Sequence, residues 1–237
     1  STPKPSSAAS DVYKRQSNDV FTMDKILLGD VFIRGGSSSG THVLEEGRPI
    51  GQFYGLVCNG IDENGRYIMV DKDGDGEISD PADYDYIGSA QPKLTYGITN
   101  TFRYKNFDLS FFLRGTIGND ILNATRMAYA QSGFLPGTNA LDDPLTYTLS
   151  ETPRFSNYYL EKGSFMRLDN LTLGYKIKAL NGIRVYFTAQ NLFVITKYKG
   201  LDPEVPMDSG DGLTPGVEPR EFYPKARTFS VGLNLNF

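Results

Sequence analysis

The last ten residues, TFSVGLNLNF from Thr228 to Phe237, leave this chain few ways to fold. Phe229, Val231, Leu233, Leu235 and Phe237 alternate without a break with Thr228, Ser230, Gly232, Asn234 and Asn236. Side chains on a strand point to opposite faces with a period of two, so one face is wholly apolar and the other small or neutral-polar. The wet face of a soluble sandwich strand usually carries Lys and Glu. Small uncharged groups suit the crowded, wet interior of a barrel instead. Ten residues tilted by roughly 45° cross about 25 Å, the height of the apolar band of a membrane barrel. The expectation is that Phe229, Val231, Leu233, Leu235 and Phe237 face lipid. An edge strand of a soluble β domain has the same alternation, and these ten residues alone leave that alternative open.

Upstream, the same period recurs in three longer stretches. Leu94, Tyr96, Ile98, Phe102 and Tyr104 share one face, and a tight turn leads to a second run in which Phe107, Leu109, Phe111 and Leu113 alternate with Asp108, Ser110, Phe112 and Arg114. In Phe165–Ile177, Met166 and Leu168 are in one phase and Leu171, Leu173, Tyr175 and Ile177 in the other, which predicts a β-bulge near Asp169–Asn170. Val185, Phe187, Ala189, Phe193 and Ile195 mark another strand. Less regular strands are expected in 25–34 and 41–46, around a GGSSSG turn, and near Phe53–Val57. The connections between strands alternate: long at 58–93, short at 104–106, long at 116–164 with a short helical piece near Ile121–Ala130, short at 178–182, long at 197–226. Outer-membrane barrels segregate short turns to one side and long loops to the other, whereas soluble meanders have no reason to do so.

Composition agrees with an all-β chain: 15 Tyr, 15 Phe, 25 Gly and 13 Pro in 237 residues. A formal net charge of −4 gives no reason to expect a nucleic-acid partner, and the single cysteine, Cys58, rules out an internal disulfide framework. The lone His42 lies in a Gly/Ser-rich neighbourhood and reads as a loop residue. There is no zinc spacing, phosphate-cradling loop, dinucleotide fingerprint or Ser/His/Asp set, so no enzyme activity is expected. Residues 1–19 have no apolar periodicity and read as disordered or foreign to the fold. No signal peptide opens the chain. Since an outer-membrane protein needs one, the expectation is that this is a C-terminal piece of something longer.

One motif carries chemistry. Asp71-Lys-Asp73-Gly-Asp75-Gly76-Glu77-Ile-Ser79 follows the first nine positions of a calcium loop. Carboxylates at positions 1, 3 and 5 converge on a hard cation, glycine at position 6 allows the sharp turn, Glu77 offers its carbonyl, and Ser79 binds through water. Position 12, normally a bidentate glutamate, is Ala82, so Asp83 would have to close the site one residue late. The expected ligands of a structural Ca²⁺ are thus Asp71, Asp73, Asp75, Glu77, Ser79 and Asp83. The alternative is a solvated acidic turn. Tyr129, Phe134, Tyr147, Phe155, Tyr158 and Tyr159 in the long loops are of a type suited to stacking on sugars, though loop packing uses the same residues. Arg114, Arg167 and Arg184 fall on the polar face or at the bulge.

Six ordered pieces, GRPIGQFYG (47–55), DKDGDGEIS (71–79), IGSAQPKLTYGITNTFRYKNFDLSFFLRG (87–115), GSFMRLDNLTLGY (163–175), FTAQNLFVITKYKGLDPEV (187–205) and YPKARTFSVGLNLNF (223–237), resemble the C-terminal third of SusC/RagA-type TonB-linked outer-membrane proteins. The resemblance implies that residues 20–237 form the C-terminal portion of a large transmembrane β-barrel of about 22 strands with an N-terminal plug. It also implies a location in the outer membrane and import of glycans or peptides. Its implied partners are lipid, a SusD-like surface lipoprotein, and TonB acting through an N-terminal region that these residues do not include. Two other readings stay open. One is a soluble extracellular calcium-binding β module that takes carbohydrate or protein. The other is a hydrolase, which would need two carboxylates about 5–10 Å apart across a cleft.

Overall fold

Strong alternation produces the long strands, and short strands arise where the chain only touches a neighbour. The computed structural model describes residues 25–31, 40–79, 81–133, 135–137, 139–177, 183–205, 212–219 and 223–235. In chain order the strands are β1 (Ile26–Leu28), β2 (His42–Leu44), β3 (Gln52–Leu56), β4 (Cys58–Ile61), β5 (Tyr67–Met69), β6 (Tyr84–Ser89), β7 (Leu94–Tyr104), β8 (Phe107–Ile117) and β9 (Asp120–Leu122). Helices α1 (Ala124–Tyr129) and α2 (Pro144–Thr148) follow, then β10 (Leu160–Lys162), β11 (Phe165–Ile177), β12 (Ile183–Thr196) and β13 (Thr228–Asn234). The strand expected to run to Phe237 is described to Asn234, with Leu235 exposed just beyond it. Phe237, Phe134, Asp80 and the whole of 1–19 lie outside the described residues.

The chain divides into two compact units. One comprises residues 1–91, 120–161 and 205–220. It holds the sheet β1-β2-β3-β6, the pairs β4-β5 and β9-β10, and both helices. Its core packs Phe53, Leu122, Met127, Leu145, Phe155 and Tyr159. α1 begins at Asn123, whose side chain accepts from the Arg126 N–H. α2 begins at Asp143, which accepts from the Leu145 N–H, with proline at the first helical position. The helical piece expected near 121–130 is therefore present. The long connections at 58–93 and 116–164 are not structureless, however, because they contain β4, β5, β6, β9 and β10. Strands of three to six residues pair at isolated points and show no period to read.

His42 is likewise a strand residue. It is fully buried, with Nε2 donating to the Pro215 carbonyl at 2.9 Å and Nδ1 2.8 Å from the Thr41 hydroxyl. A carbonyl can only accept, so the proton is on Nε2. Phe155 and Tyr159 are in the core and cannot offer a face to a sugar, whereas Tyr147 is exposed. Cys58 is buried, and that burial pushes its thiol up, away from a reactive thiolate.

The other unit, residues 92–119, 162–204 and 221–237, is an antiparallel sheet in the order β13-β12-β11-β8-β7. The β7–β8 hairpin turns at Lys105 and Asn106, with Lys105 at φ 55°. The expected bulge is there. Leu168 pairs with Leu113 and Asn170 with the adjacent Phe112, so Asp169 is an inserted residue. On the other side, Leu168 pairs with Phe193 and Asn170 with Gln190, so Asn191 and Leu192 both stand against Asp169. Asn191 takes φ 51°, a left-handed conformation that Asn tolerates better than most residues.

This register sorts the side chains. Rows such as Phe102–Leu109–Leu173–Phe187–Val231 and Ile98–Leu113–Leu168–Phe193 share one face. Among the described strand residues no charge falls on that face. Arg103, Asp108, Arg114, Arg167, Lys176 and Arg184 all lie on the other, and Asp169 sits at the bulge. A row of hydroxyls, Thr101–Ser110–Thr172–Thr188–Ser230, crosses all five strands of the charged face. Below it Arg184 forks onto Asp108 with bonds of 2.9 and 2.5 Å. This pair passes directly over Gly174, where any Cβ would overlap both partners. The uncharged face carries a contiguous array of exposed Phe, Leu, Val and Ile, with Val231 76% exposed. That is more apolar surface than soluble monomers expose.

Opposite outcomes are expected from neighbouring substitutions in β11. Leu171→Arg, on the uncharged face near mid-strand, should destabilise the folded wall in lipid by about 2–4 kcal/mol. Thr172→Arg, in the hydroxyl row, should cost about 1 kcal/mol or less. Urea unfolding in phospholipid vesicles, followed by tyrosine fluorescence, distinguishes them.

Candidate functional site

Three features have functional chemistry: the acidic turn, an ion-pair network on the charged face, and the uncharged face itself. In the acidic turn the carboxylates fold the backbone around themselves. Asp71 accepts from the N–H groups of Gly74 at 2.6 Å and Gly76 at 2.9 Å. Asp73 accepts from Asp75 N–H at 3.1 Å, and Asp75 from Glu77 N–H at 2.8 Å. Asp83, 1% exposed, accepts from Ser79 N–H at 2.8 Å, Lys72 N–H at 2.7 Å and Asp73 N–H at 3.4 Å. These N–H groups, Ser79 first, hold its carboxyl below the usual range, and the Arg154 guanidinium adds to the effect.

Carboxylate oxygens of Asp71, Asp73 and Asp83 lie within 4.8 Å of one another. Calcium–oxygen distances of about 2.3–2.6 Å place ligands on opposite sides of an ion about 4.6–5.2 Å apart, so one ion fits this trio. Asp75 and Glu77 are exposed and fall outside the trio, and Ser79 is half-buried. Asp83 reaches the trio although it stands one position late in the spacing.

The network on the charged face centres on Arg167, 1% exposed. Its Nη2 donates to Asp202 Oδ1 at 2.5 Å, its Nη1 to Asn191 Oδ1, and its Nε lies 3.7 Å from Glu204. Glu204 also receives both terminal nitrogens of Arg114 and the ammonium of Lys225. Arg114 reaches Asp169 at the bulge at 3.2 Å. Burial alone would raise the Glu204 carboxyl, but hydrogen bonds from Arg114 and Lys225 outweigh it and hold the group low. Asn191 completes the link by donating to the Lys225 carbonyl at 2.6 Å. The bulge thus has a use, since Asp169 and Asn191 reach the network from positions that a regular ladder does not provide.

Sequence reasoning named Arg114, Arg167 and Arg184 but missed their partners. The signal was Asp202 and Glu204, two acids in a Pro-containing segment, opposite two arginines that a strand period places on one face.

The uncharged face has the length its expected setting requires. β7 and β8 each have 11 residues, β11 has 13 and β12 has 14. At roughly 3.3 Å per residue, such strands, when tilted, span an apolar band of about 25 Å.

No family model matches the chain. It is 34% identical over 237 aligned residues to the TonB-dependent receptor P3 of Formosa agariphila, an alignment that covers 83% of this chain and 23% of that one. It is 36% identical over 228 residues to the TonB-dependent receptor SusC of Bacteroides thetaiotaomicron, covering 88% and 21%. The chain belongs to the SusC/RagA-type TonB-dependent receptors. The solved RagAB peptide importer in its closed-closed state overlays with a TM-score of 0.66 at 25% identity, over 90% of this chain and 25% of that one. The receptor segment therefore spans about a fifth to a quarter of the length of these relatives. Its five-stranded sheet is a portion of a transmembrane barrel wall, one face carrying the charged side chains and the other none among the described residues.

Removing one partner of a buried ion pair strands the other. Asp202→Ala should destabilise the wall by about 3–5 kcal/mol, whereas Lys225→Ala, at the exposed rim of the same network, should cost about 1 kcal/mol or less. Hydrogen exchange of segments 165–170 and 190–204 in detergent should show faster exchange in the first variant alone.

Proposed function

We propose that this chain is wall and loop of an outer-membrane transporter that imports nutrients, energised through TonB. The observation that carries the reading is the separation of charge. The lipid-side rows are free of it, while the lumen side holds ion pairs and a row of hydroxyls. A soluble calcium-binding module would gain nothing from so large an exposed apolar array. Transport, with no bond broken in the cargo, is the role that fits.

The substrate class is oligosaccharide or peptide, supported by kinship with SusC and with the RagAB peptide importer. Hydroxyls at the level of Thr101, Ser110, Thr172, Thr188 and Ser230 can exchange hydrogen bonds with sugar hydroxyls or peptide amides without selecting for charge. A SusD-like lipoprotein at the cell surface is the proposed capturing partner. The protein carrying this chain should fractionate with the outer membrane as a heat-modifiable band, and its disruption should abolish growth on the oligosaccharide or peptide it imports. Recovery of residues 25–237 as a soluble, cooperatively folding monomer would instead favour the soluble module.

The acidic turn is proposed to hold a structural Ca²⁺ through Asp71, Asp73 and Asp83, an assignment supported by the proximity of their oxygens. The ion would cross-link the turn between β5 and β6, with affinity on the order of 10⁻⁴–10⁻³ M, as in extracellular modules. Calcium should raise the melting temperature of the parent protein but not that of the Asp71→Asn/Asp73→Asn variant. An unresponsive parent removes the ion from this account.

A further inference from the structure

At one end of the wall, where β8 and β12 run into the long connections, the sheet carries a cleft of about 470 Å³. Tyr96, Ile117 and Ile195 of the uncharged face line it together with Phe165 of the charged face, and Lys162 and Lys197 are also among its lining residues. Register explains the hollow. Tyr96, Gly115, Met166 and Ile195 form one row, and Gly115 leaves a gap across which the Tyr96 ring leans, its hydroxyl 3.5 Å from the Phe165 carbonyl. Ile195 is 58% exposed beside it. None of the lining residues is acidic. A third lysine, Lys93, lays its aliphatic stem against Gly118, next to Ile117.

We infer that this cleft is a binding site for a phosphate-bearing lipid of the outer leaflet. Its acyl chain lies against Tyr96, Ile117 and Ile195, and its phosphate is held by Lys162 and Lys197. The inference rests on the lipid-facing assignment of the uncharged face. The long connections identify this end as the outer one, since barrels of this type keep their short turns on the periplasmic side. An apolar floor continuous with the lipid-facing rows takes a hydrocarbon chain. Two lysines among the lining residues supply positive charge for an anion, and a tyrosine lines the same cleft. A zwitterionic headgroup offers no net charge to these lysines. A free anion would leave the apolar floor unused.

The test uses the full-length protein that carries this chain, purified in detergent. It is exposed to bis-phosphorylated lipid A or to its dephosphorylated form, and retained lipid is counted by native mass spectrometry. Lipid A should be retained in preference to the dephosphorylated form. Each lysine near a charged headgroup contributes roughly five-fold in affinity, so Lys162→Gln/Lys197→Gln should weaken lipid A retention by about 25-fold while leaving heat-modifiability intact. Millimolar inorganic phosphate should not displace the lipid.

Equal retention of the two lipids, or no loss in the double variant, overturns the inference. Displacement by phosphate alone also overturns it, and makes the cleft a free-anion site. Loss of lipoprotein co-purification in the double variant without loss of lipid would reassign the lysines to a protein contact and likewise overturn it. The comparison of the two lipids on the parent protein needs no variant and stands if a variant fails to fold. A protein that never enters the outer membrane defeats the wall assignment itself. One that enters and retains no phosphorylated lipid defeats only this inference.

Discussion

Hydrocarbon offers no hydrogen bonds, so a chain that crosses it must pair its backbone groups with itself and keep charge off one side of every strand. The remaining features of the wall follow from those two demands. Five strands satisfy one another through antiparallel ladders, and where the ladder shifts, at Asp169 and Asn191, the displaced residues are tied to the charged face by Arg114, Arg167 and Lys225. Free edges are intolerable in lipid, so β7 and β13, which border this sheet, require neighbours within a larger closed ladder.

Charge banished from one face must be accommodated on the other, and it is accommodated in pairs. Arg184 and Asp108 meet across Gly174 near the short turns. Arg167, Arg114 and Lys225 converge on Asp202 and Glu204 toward the opposite end. The hydroxyl row lies between. The second cluster does more than neutralise charge, because Asp202 and Glu204 come from the segment after β12. Holding them pins that segment to the wall. Buried ion pairs of this kind contribute little net stability over an apolar replacement, yet they penalise every arrangement that leaves one partner alone.

Much of the wall was legible in the residues because period two survives wherever one face must be apolar. Leu168 and Leu171 fall out of phase by one, and the structure inserts one residue there. The rest was hidden for physical reasons. β4, β5, β9 and β10 have three or four residues each, too few for a period, and the buried His42 is bonded to the carbonyl of Pro215, a residue 173 positions away. Aromatic residues such as Phe155 and Tyr159 look alike in sequence whether they face a ligand or fill a core, and here they fill one. Asp83 illustrates the same limit at the acidic turn. A spacing template counts residues, whereas the turn places the Asp83 carboxylate beside Asp71 and Asp73 by folding back through the N–H groups of Lys72 and Ser79.

The bulge in β11 also has a meaning for heredity. With Asp169 removed, Leu168 would adjoin Asn170, and Met166, Leu168, Leu171 and Leu173 would alternate cleanly along the strand. An in-frame codon deletion at that place costs the Arg114 contact but leaves every side chain on its proper face. The same deletion outside Asp169–Asn170 in the strand interior would invert one flank, turning arginine or lysine onto the uncharged face or leucine onto the charged one. Natural length variation in this strand should therefore collect at these two codons, with the remainder closed to it.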